Sequence, residues 1–193
     1  MVHRSYPRLG EGEAEALEEA LKDEVQGLVI APGRAEDLAP LMRRAAGQGI
    51  PVVCVNTDAP KAPHLATVCV DSAVSGALVG ELVGRFLGGR GRLVVVTGQL
   101  NTIDHAQKLQ GFRKTIGETW PGLEIAAVVE AHDDETEAYR KCREVLASAP
   151  DAAGVYVSTA NSVPVMRALD DRGSSGRVTV ITTDLFPALA TFI

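Results

Sequence analysis

The chain lacks the features that would mark a nucleic-acid-binding domain or a membrane protein. Its 193 residues include 19 Lys and Arg against 25 Asp and Glu, for a formal net charge of −6, and they contain no basic cluster. Such a cluster is needed because phosphate neutralisation supplies most non-specific affinity for nucleic acid. No apolar run approaches the roughly 18 residues of a membrane span, and no leader peptide is recognisable. We expect neither DNA nor membrane binding by these residues.

Motifs for catalysis and cofactor binding are also missing. No Gly-x-Ser-x-Gly elbow, Gly-x4-Gly-Lys-Ser/Thr loop or Gly-x-Gly-x-x-Gly turn follows a predicted strand, and no Cys and His residues have zinc-site spacing. None of the four histidines has an acid at a spacing typical of acid-base catalysis. We therefore expect no enzyme, no cofactor and no metal. Strand-end carboxylates such as Asp71 and Asp184 leave glycoside or phosphate chemistry as the alternative.

Cysteines and aromatic residues are scarce. The odd set of Cys54, Cys69 and Cys142 predicts reduced, buried thiols in a cytosolic protein. Phe, Trp and Tyr make up only 4% of the chain. A stacking platform for a pyranose ring is therefore not evident.

Apolar β-rich runs alternate with helical-period runs, which predicts an α/β fold with mainly parallel sheets. Most of these runs are continuous Val, Ile and Leu, as in strands covered on both faces. A further strand over Val2–Tyr6 is a weaker prediction. The seven main predicted strands are Gly27–Ala31, Pro51–Val55, Ala66–Val70, Leu93–Thr97, Glu124–Val129, Gly154–Val157 and Val178–Thr182.

Four helical stripes of apolar residues are predicted to face the core. The stripes are Leu38, Leu41, Met42 and Ala45; Leu78, Leu82 and Phe86; Leu109, Phe112 and Ile116; and Tyr139, Cys142, Val145 and Leu146. In contrast, Glu11, Glu13 and Glu15 predict a helix start that is exposed to solvent.

One connection breaks the alternation. Between Val55 and Ala66 lie Asp58, Pro60 and Pro63 with no helical period, so two strands follow one another without a crossover helix. Such a break is where a chain would leave one lobe for another. Asp71 and Ser72 then open a new helix, so the pattern predicts that the chain passes from one lobe to a second near this point.

Short polar clusters follow three of the predicted strands: Asn56-Thr57-Asp58, Ser158-Thr159-Ala160-Asn161 and Thr183-Asp184. In open parallel sheets, ligands bind beyond the carboxyl ends of the strands. The sequence therefore predicts a small-molecule binding site rather than a catalytic one.

A set of motifs in fixed order resembles a known family. The motifs are Gly27-Leu-Val-Ile-Ala-Pro, Gly49-Ile-Pro-Val-Val, Val70-Asp71, Gly98 with Gly111-Phe112-Arg113, Gly154-Val-Tyr and Val180-Ile-Thr-Thr-Asp184-Leu185. Together they resemble the type I periplasmic-binding-protein fold, and especially the effector-binding domain of LacI-type transcriptional regulators.

The resemblance implies two Rossmann-like lobes joined by a hinge, an incomplete first lobe over residues 1–70 and a nearly complete second lobe over residues 71–193. It implies that a sugar or polyol effector is held between them. It also implies a chain truncated at both ends, a helix-turn-helix for DNA outside this chain, a homodimer and a cytoplasmic location. The alternative is an extracytoplasmic sugar-binding protein of an ABC transporter. A helix-turn-helix upstream of Met1 would favour regulation, whereas a leader peptide would favour transport.

The resemblance also transfers candidate ligand-binding residues. Asp71 and Asp184 match acids that face ligand hydroxyls, and Thr102 and Thr159 match cleft positions. Three further candidates replace family residues. His105 precedes Ala106, which stands where an arginine is usual; Asn56 begins the Asn-Thr that replaces an Asp-Arg pair; and Asp133 occupies the position of a stacking aromatic ring.

Structural alternatives stand beside four of these assignments. Asp71 and Asp184 are also suited to helix caps. His105 lies in line with Leu109 and is suited to a half-buried structural role. Two interpretations fit Asp133, Asp134 and Glu135. They form a cation site or, more simply, they are carboxylates that complement a helix dipole.

Overall fold

The computed structural model describes residues 3–6 and 9–192, and it has the predicted α/β architecture with parallel sheets. Within these residues, seven strands alternate with six α-helices, except between the second and third strands. The elements are α1 (Glu13–Ala20), β1 (Leu28–Ile30), α2 (Ala35–Gly47), β2 (Val52–Val55), β3 (Ala66–Val68), α3 (Ser72–Phe86), β4 (Gly91–Thr97), α4 (Ile103–Thr119), β5 (Leu123–Glu130), α5 (Glu135–Ser148), β6 (Ala152–Val157), α6 (Ser162–Asp171), β7 (Thr179–Thr182) and a 3-10 turn (Leu189–Phe192).

All seven main strand predictions are confirmed, with shifts of a few residues at their ends. The connection without a crossover helix is also confirmed, since residues 56–65 alone join the parallel neighbours β2 and β3. The weaker strand prediction fails for residues 3–6, which are in no strand, and its first residue, Val2, lies outside the described residues.

Residue contacts divide the chain into two compact units, which are described separately. The first unit runs to Asp71 and includes Asn101–Asp104; the second contains Ser72–Leu100 and the chain from His105 onward. In the first unit the strands pair in the order β1-β2-β3, all parallel.

In the first unit, the described helices cover only one face of the sheet. Helices α1 and α2 form a core with that face, which carries Leu28, Ile30, Val52 and Cys54. On the opposite face Val29 is 70% exposed and Val68 is 66% exposed. Within the described residues, the prediction of strands covered on both faces therefore fails for this sheet, because the helices α1 and α2 lie on the same side of it.

Glu13 corrects the prediction of a solvated helix start. It is buried, and its carboxylate accepts hydrogen bonds from the backbone N–H groups of Gly10, Gly33 and Arg34, at 2.6–3.1 Å. Burial is tolerated because these charge-assisted bonds replace water. A Cβ at Gly33 would lie 2.4 Å from the same carboxylate, so this contact requires glycine.

The second unit covers both faces of a four-stranded parallel sheet of order β5-β4-β6-β7. Alternate residues of each strand point to opposite faces. Val94 and Val96 therefore pack with α5 and α6, whereas Leu93 and Val95 pack with α3 and α4. The two-faced prediction is confirmed for this sheet.

Helix α3 presents a different face to the core than its leucines predict. Leu78 is 59% and Phe86 is 65% exposed, whereas Val79 and Val83 are buried together with three glycines of the helix, Gly76, Gly80 and Gly84. A Cβ at Gly76 would lie 1.9 Å from the Lys108 carbonyl oxygen of α4. The glycines let the two helices approach closely, so the stripe through Leu78, Leu82 and Phe86 is wrong. The other three predicted stripes are confirmed.

The three cysteines are free, but only two are buried. Burial raises the pKa of Cys142 to about 12, so this thiol is inert at neutral pH. Cys69 is exposed, contrary to prediction, and it lies one residue beyond the end of β3 at Val68.

Candidate functional site

The parallel strands of the second unit end at one edge, and polar residues follow each of them. At the end of β4 the hydroxyl of Thr97 accepts a 2.8 Å hydrogen bond from Ser158, which follows β6, and both residues are buried. The hydroxyls of Ser162 and Thr182 lie 2.6 Å apart, joining the start of α6 to the end of β7. Because strand ends in such sheets hold ligands, we call this the strand-end edge.

Two predicted ligand residues meet at the strand-end edge. The buried hydroxyl of Thr159, after β6, donates a hydrogen bond to the carboxylate of Asp133, after β5. Asp133 and its neighbour His132 have positive φ angles of 52° and 49°, a conformation that few non-glycine residues adopt. The chain thus turns sharply after β5, and Asp133 turns toward β6 rather than joining a carboxylate cluster.

The residues after Asp133 open helix α5, as the simpler of the two alternatives predicts. Asp134 is the N-cap and accepts a 2.8 Å hydrogen bond from the Glu137 N–H. The pKa of Glu137 is lowered by hydrogen bonds from Lys141 and His132, at 2.7 Å and 2.9 Å. Lys141 also donates to the carbonyl oxygen of Glu130, which fixes this polar network to the end of β5.

Three side-chain atoms at strand ends are buried without a hydrogen-bond partner among the residues that the structure describes. In the second unit they are the Asn161 Nδ2 and the Thr183 Oγ1, after β6 and β7. In the first unit the atom is the Thr57 Oγ1, after β2. Buried polar atoms are nearly always paired, so unpaired ones call for a specific explanation such as a bound ligand.

His105 lies under the loop between β4 and α4. It is buried, its Nδ1 accepts a 3.0 Å hydrogen bond from the Gln99 N–H, and a Cβ at Gly98 would lie 2.0 Å from its ring. These contacts agree with the structural role weighed in the sequence analysis. The ligand role of His105 stays a prediction.

The remaining candidates divide between buried and exposed positions. Thr102 is buried, whereas Asp71, Asn56 and Asp184 are exposed. Asn56 has a φ of 67°, which asparagine tolerates better than most residues, and its N–H donates to the Val68 carbonyl oxygen. The Asp184 N–H donates to the Thr182 hydroxyl at 3.3 Å, which leaves its carboxylate at the solvent-exposed end of β7. Their ligand roles stay predictions.

Sequence reasoning did not select Thr57, Asn161 or Thr183 as ligand residues. All three belong to the polar clusters that predicted the site, but the resemblance directed attention to their neighbours Asn56, Thr159 and Asp184. The missing signal was burial without a partner, which no residue pattern reports. The edge as a whole offers hydroxyls, an amide and carboxylates, the groups that bind a polyhydroxylated molecule through hydrogen bonds.

Parallel α/β units with polar strand ends are typical of proteins that bind small ligands. The chain belongs to the periplasmic binding protein domain family, whose model matches residues 10–193. It is 25% identical over 167 residues to a xylitol-binding protein of Mycolicibacterium smegmatis, covering 85% of this chain and 47% of that protein.

The chain has the type I periplasmic-binding-protein-like fold, which it shares with many solved structures, among them the following two. GanP, a glucose-galactose binding protein of Geobacillus stearothermophilus, has a TM-score of 0.85 at 24% identity, covering 92% of this chain and 64% of that one. An ABC transporter solute-binding protein of Burkholderia graminis, in complex with D-arabinose, has a TM-score of 0.88 at 22% identity, covering 92% and 63%. The chain thus spans from about half to two thirds of the length of these relatives.

These relatives are binding proteins rather than enzymes, in agreement with the expectation from the sequence. In the described part of the chain, no helix combines the length and the apolar character that a membrane crossing needs.

Proposed function

We propose that the chain is the ligand-binding part of an extracytoplasmic solute-binding protein, and that its ligand is a sugar or a polyol. The strand-end edge of the second unit contributes hydrogen bonds to the ligand hydroxyls. In this role Asn161 and Thr183 act beside the predicted residues Asp133, Thr159 and Asp184.

The observation that carries this proposal is the set of unpartnered buried atoms at the strand ends. An Asn161 Nδ2 and a Thr183 Oγ1 without partners each cost the protein about 1–3 kcal/mol of stability. A ligand hydroxyl donates one hydrogen bond and accepts two, so one sugar or polyol satisfies both kinds of group. A bound sugar or polyol thus accounts for two unpartnered polar atoms that lower the stability of the free chain.

The relatives favour transport over regulation. One is a xylitol-binding protein, and another is a transporter protein in complex with D-arabinose. The LacI-type regulator, its DNA-binding segment and the homodimer gain no support from these relatives and stay predictions, as does the cytoplasmic location. Cell fractionation with an antibody against the chain tests the location, since the proposed transport role places the protein outside the cytoplasm.

A ligand screen by thermal shift tests the proposal. The panel contains xylitol, D-arabinose, glucose, galactose and, as a non-hydroxylated control, an amino acid without a hydroxyl. A ligand present at 100 times its dissociation constant stabilises the folded chain by about 2.7 kcal/mol. We expect at least one sugar or polyol to raise the melting temperature, and the absence of any such shift would contradict the proposal.

Variants at the unpartnered atoms connect binding to this edge. Thr183→Val and Asn161→Ala should weaken the best ligand by about 5- to 100-fold, because each removes a buried hydrogen bond to it. The free chain should be unchanged or slightly stabilised, since an unpaired polar atom has been removed. Thr136→Val, at an exposed position of α5, is the matched control and should bind like the parent. Parent-like affinity of both test variants would disprove the role of the edge.

A further inference from the structure

A second cluster of chemistry-bearing side chains lies in the first unit. Cys54 is on β2, Asp58 is in the turn that follows it, and His64 precedes β3. The cysteine sulfur, one carboxylate oxygen and one imidazole nitrogen all lie within 4.8 Å of one another. These atom types are the ligands that proteins offer to zinc.

The distances fit a tetrahedral ion. The His64 Nε2 and the Asp58 Oδ1 are 3.3 Å apart. Zinc bonds of about 2.0–2.1 Å to nitrogen and oxygen place two such ligands about 3.3 Å apart. With a zinc–sulfur bond of about 2.3 Å, the sulfur stands about 3.6 Å from its neighbours. The cysteine sulfur therefore has to move inward by no more than about 1.2 Å to complete three corners.

The imidazole is oriented as in metal-binding histidines. Its Nδ1 lies 2.9 Å from the Ala62 carbonyl oxygen, which accepts only, so Nδ1 carries a proton and donates it. Its Nε2 is thereby directed toward Asp58 and Thr67. A backbone carbonyl that holds the far nitrogen in this way is the usual outer contact of a histidine ligand.

The Thr67 hydroxyl lies beside the cluster. It donates a 2.6 Å hydrogen bond to the Asp58 Oδ1 and lies 3.1 Å from the His64 Nε2. A cation bound between Asp58 and His64 would also have the buried Cys54 sulfur as a ligand.

The site is reachable from solvent and selective in its ligand types. The side chains of Asp58 and His64 keep 34% and 19% of their surface exposed, so an ion can reach them while Cys54 stays buried. One sulfur, one nitrogen and one oxygen ligand favour zinc over calcium or magnesium, which prefer oxygen alone.

We propose that Cys54, Asp58 and His64 bind one Zn²⁺ with a fourth position open, and that this ion ties the connection of residues 56–65 to β2. The Thr67 hydroxyl, which donates to the Asp58 carboxylate, orients that carboxylate as an outer contact, and the Ala62 carbonyl oxygen orients the imidazole. The proposal is independent of the sugar-binding function, because it concerns a different cluster and predicts a different ligand.

Metal titration of the full chain tests the proposal. After treatment with a chelator and a reductant, Co²⁺ is added and the absorption spectrum recorded. We expect one equivalent to bind with a thiolate-to-cobalt charge-transfer band and the intense visible bands of tetrahedral cobalt, and one equivalent of Zn²⁺ to displace it. Zn²⁺ should also raise the melting temperature, because it binds only the folded chain. A chain with no stoichiometric, thiolate-bound cobalt would overturn the proposal.

Variants assign the ligands. Cys54→Ala and His64→Gln should each abolish the stoichiometric cobalt spectrum and the zinc-dependent rise in melting temperature. Cys69→Ala and His3→Gln change an exposed cysteine and an exposed histidine and should leave both readouts intact. Thr67→Val should weaken zinc about 10- to 100-fold without changing the stoichiometry. Circular dichroism checks whether Cys54→Ala, at a buried position, still folds. If it does not, the test rests on His64→Gln, because His64 lies in a loop. Metal binding by His64→Gln that equals that of the parent would contradict the assignment.

Discussion

The two sheets of this protein are made of similar strands but are covered differently. In the first unit β1 carries Val29 at 70% exposure, because α1 and α2 share one face. In the second unit Val95 of β4 is fully buried, because α3 and α4 cover its face while α5 and α6 cover the other. Continuous apolar strands therefore indicate a parallel sheet, but the number of helices on each face decides which valines contribute to stability.

The largest expected effect tests the second covered face of the second unit. Phe112 is fully buried on α4, with its ring centroid 4.9 Å from that of Tyr156. Phe112→Ala should lower the free energy of unfolding by about 3–5 kcal/mol. Phe86→Ala, at an exposed position of α3, should change it by less than about 0.5 kcal/mol. Urea unfolding followed by the fluorescence of Trp120, the single tryptophan, reports on this unit. Similar losses in both variants would break the comparison.

The same substitution in each sheet tests the comparison directly. Val95→Ala should cost about 2–3 kcal/mol, from lost burial and the cavity that remains. Val29→Ala should cost less than about 0.5 kcal/mol, because its side chain is already in water. Hydrogen exchange of the β1 and β4 amides measures the stability of each unit separately. A large loss of protection in β1 on Val29→Ala would show that the exposed face is covered in solution.

Two glycine substitutions test how closely α3 packs against α4. Gly76→Ala should destabilise the second unit by about 1–3 kcal/mol, because the new Cβ meets the Lys108 carbonyl of α4. Gly117→Ala, in α4 with open space around it, should instead stabilise the unit by about 0.4–1 kcal/mol. The sign of each change is read from the urea midpoint. A stabilising Gly76→Ala would rule out the close approach of the two helices.

The smallest expected effect concerns pH at the strand-end edge. The pKa of Glu137 is lowered in the folded chain by Lys141 and His132, so this contribution to stability is present above the ordinary glutamate pKa of about 4.3 and is lost as pH falls through the lower folded value. Glu137→Gln should therefore cost up to about 1 kcal/mol at pH 7 and progressively less in acid. Parallel pH profiles for parent and variant would contradict the assignment.

Much of the fold is predictable from the sequence because strand periodicity and glycine-rich helix ends are local signals. The face that α3 buries was not predictable, because it is made of glycine and valine while leucine and phenylalanine point outward. The burial of Glu13 was not predictable either, since its partners are backbone N–H groups about 20 residues away. In both cases the deciding contact belongs to another element.

The sequence predicted where polar groups gather better than which of them are buried. Polar clusters after the strands predicted the strand-end edge, and the structure pairs Asp133 with Thr159 there. The ligand roles of these residues stay predictions. The unpartnered Thr57, Asn161 and Thr183 differ from their neighbours only in burial. The cluster of Cys54, Asp58 and His64 escaped detection because its spacing follows no zinc motif and depends on how residues 56–65 fold back onto β2.

The carboxylate of Glu13 links parts of the chain that are distant in sequence. It belongs to the first turn of α1, yet it fixes the backbone just after β1 and just before α2 through Gly33 and Arg34. Helix α1 is thereby a support for the loop at the carboxyl end of the first strand as well as a cover for the sheet. Any event that displaces this helix would release that loop at the same moment, so the two segments are expected to open and close as one cooperative element.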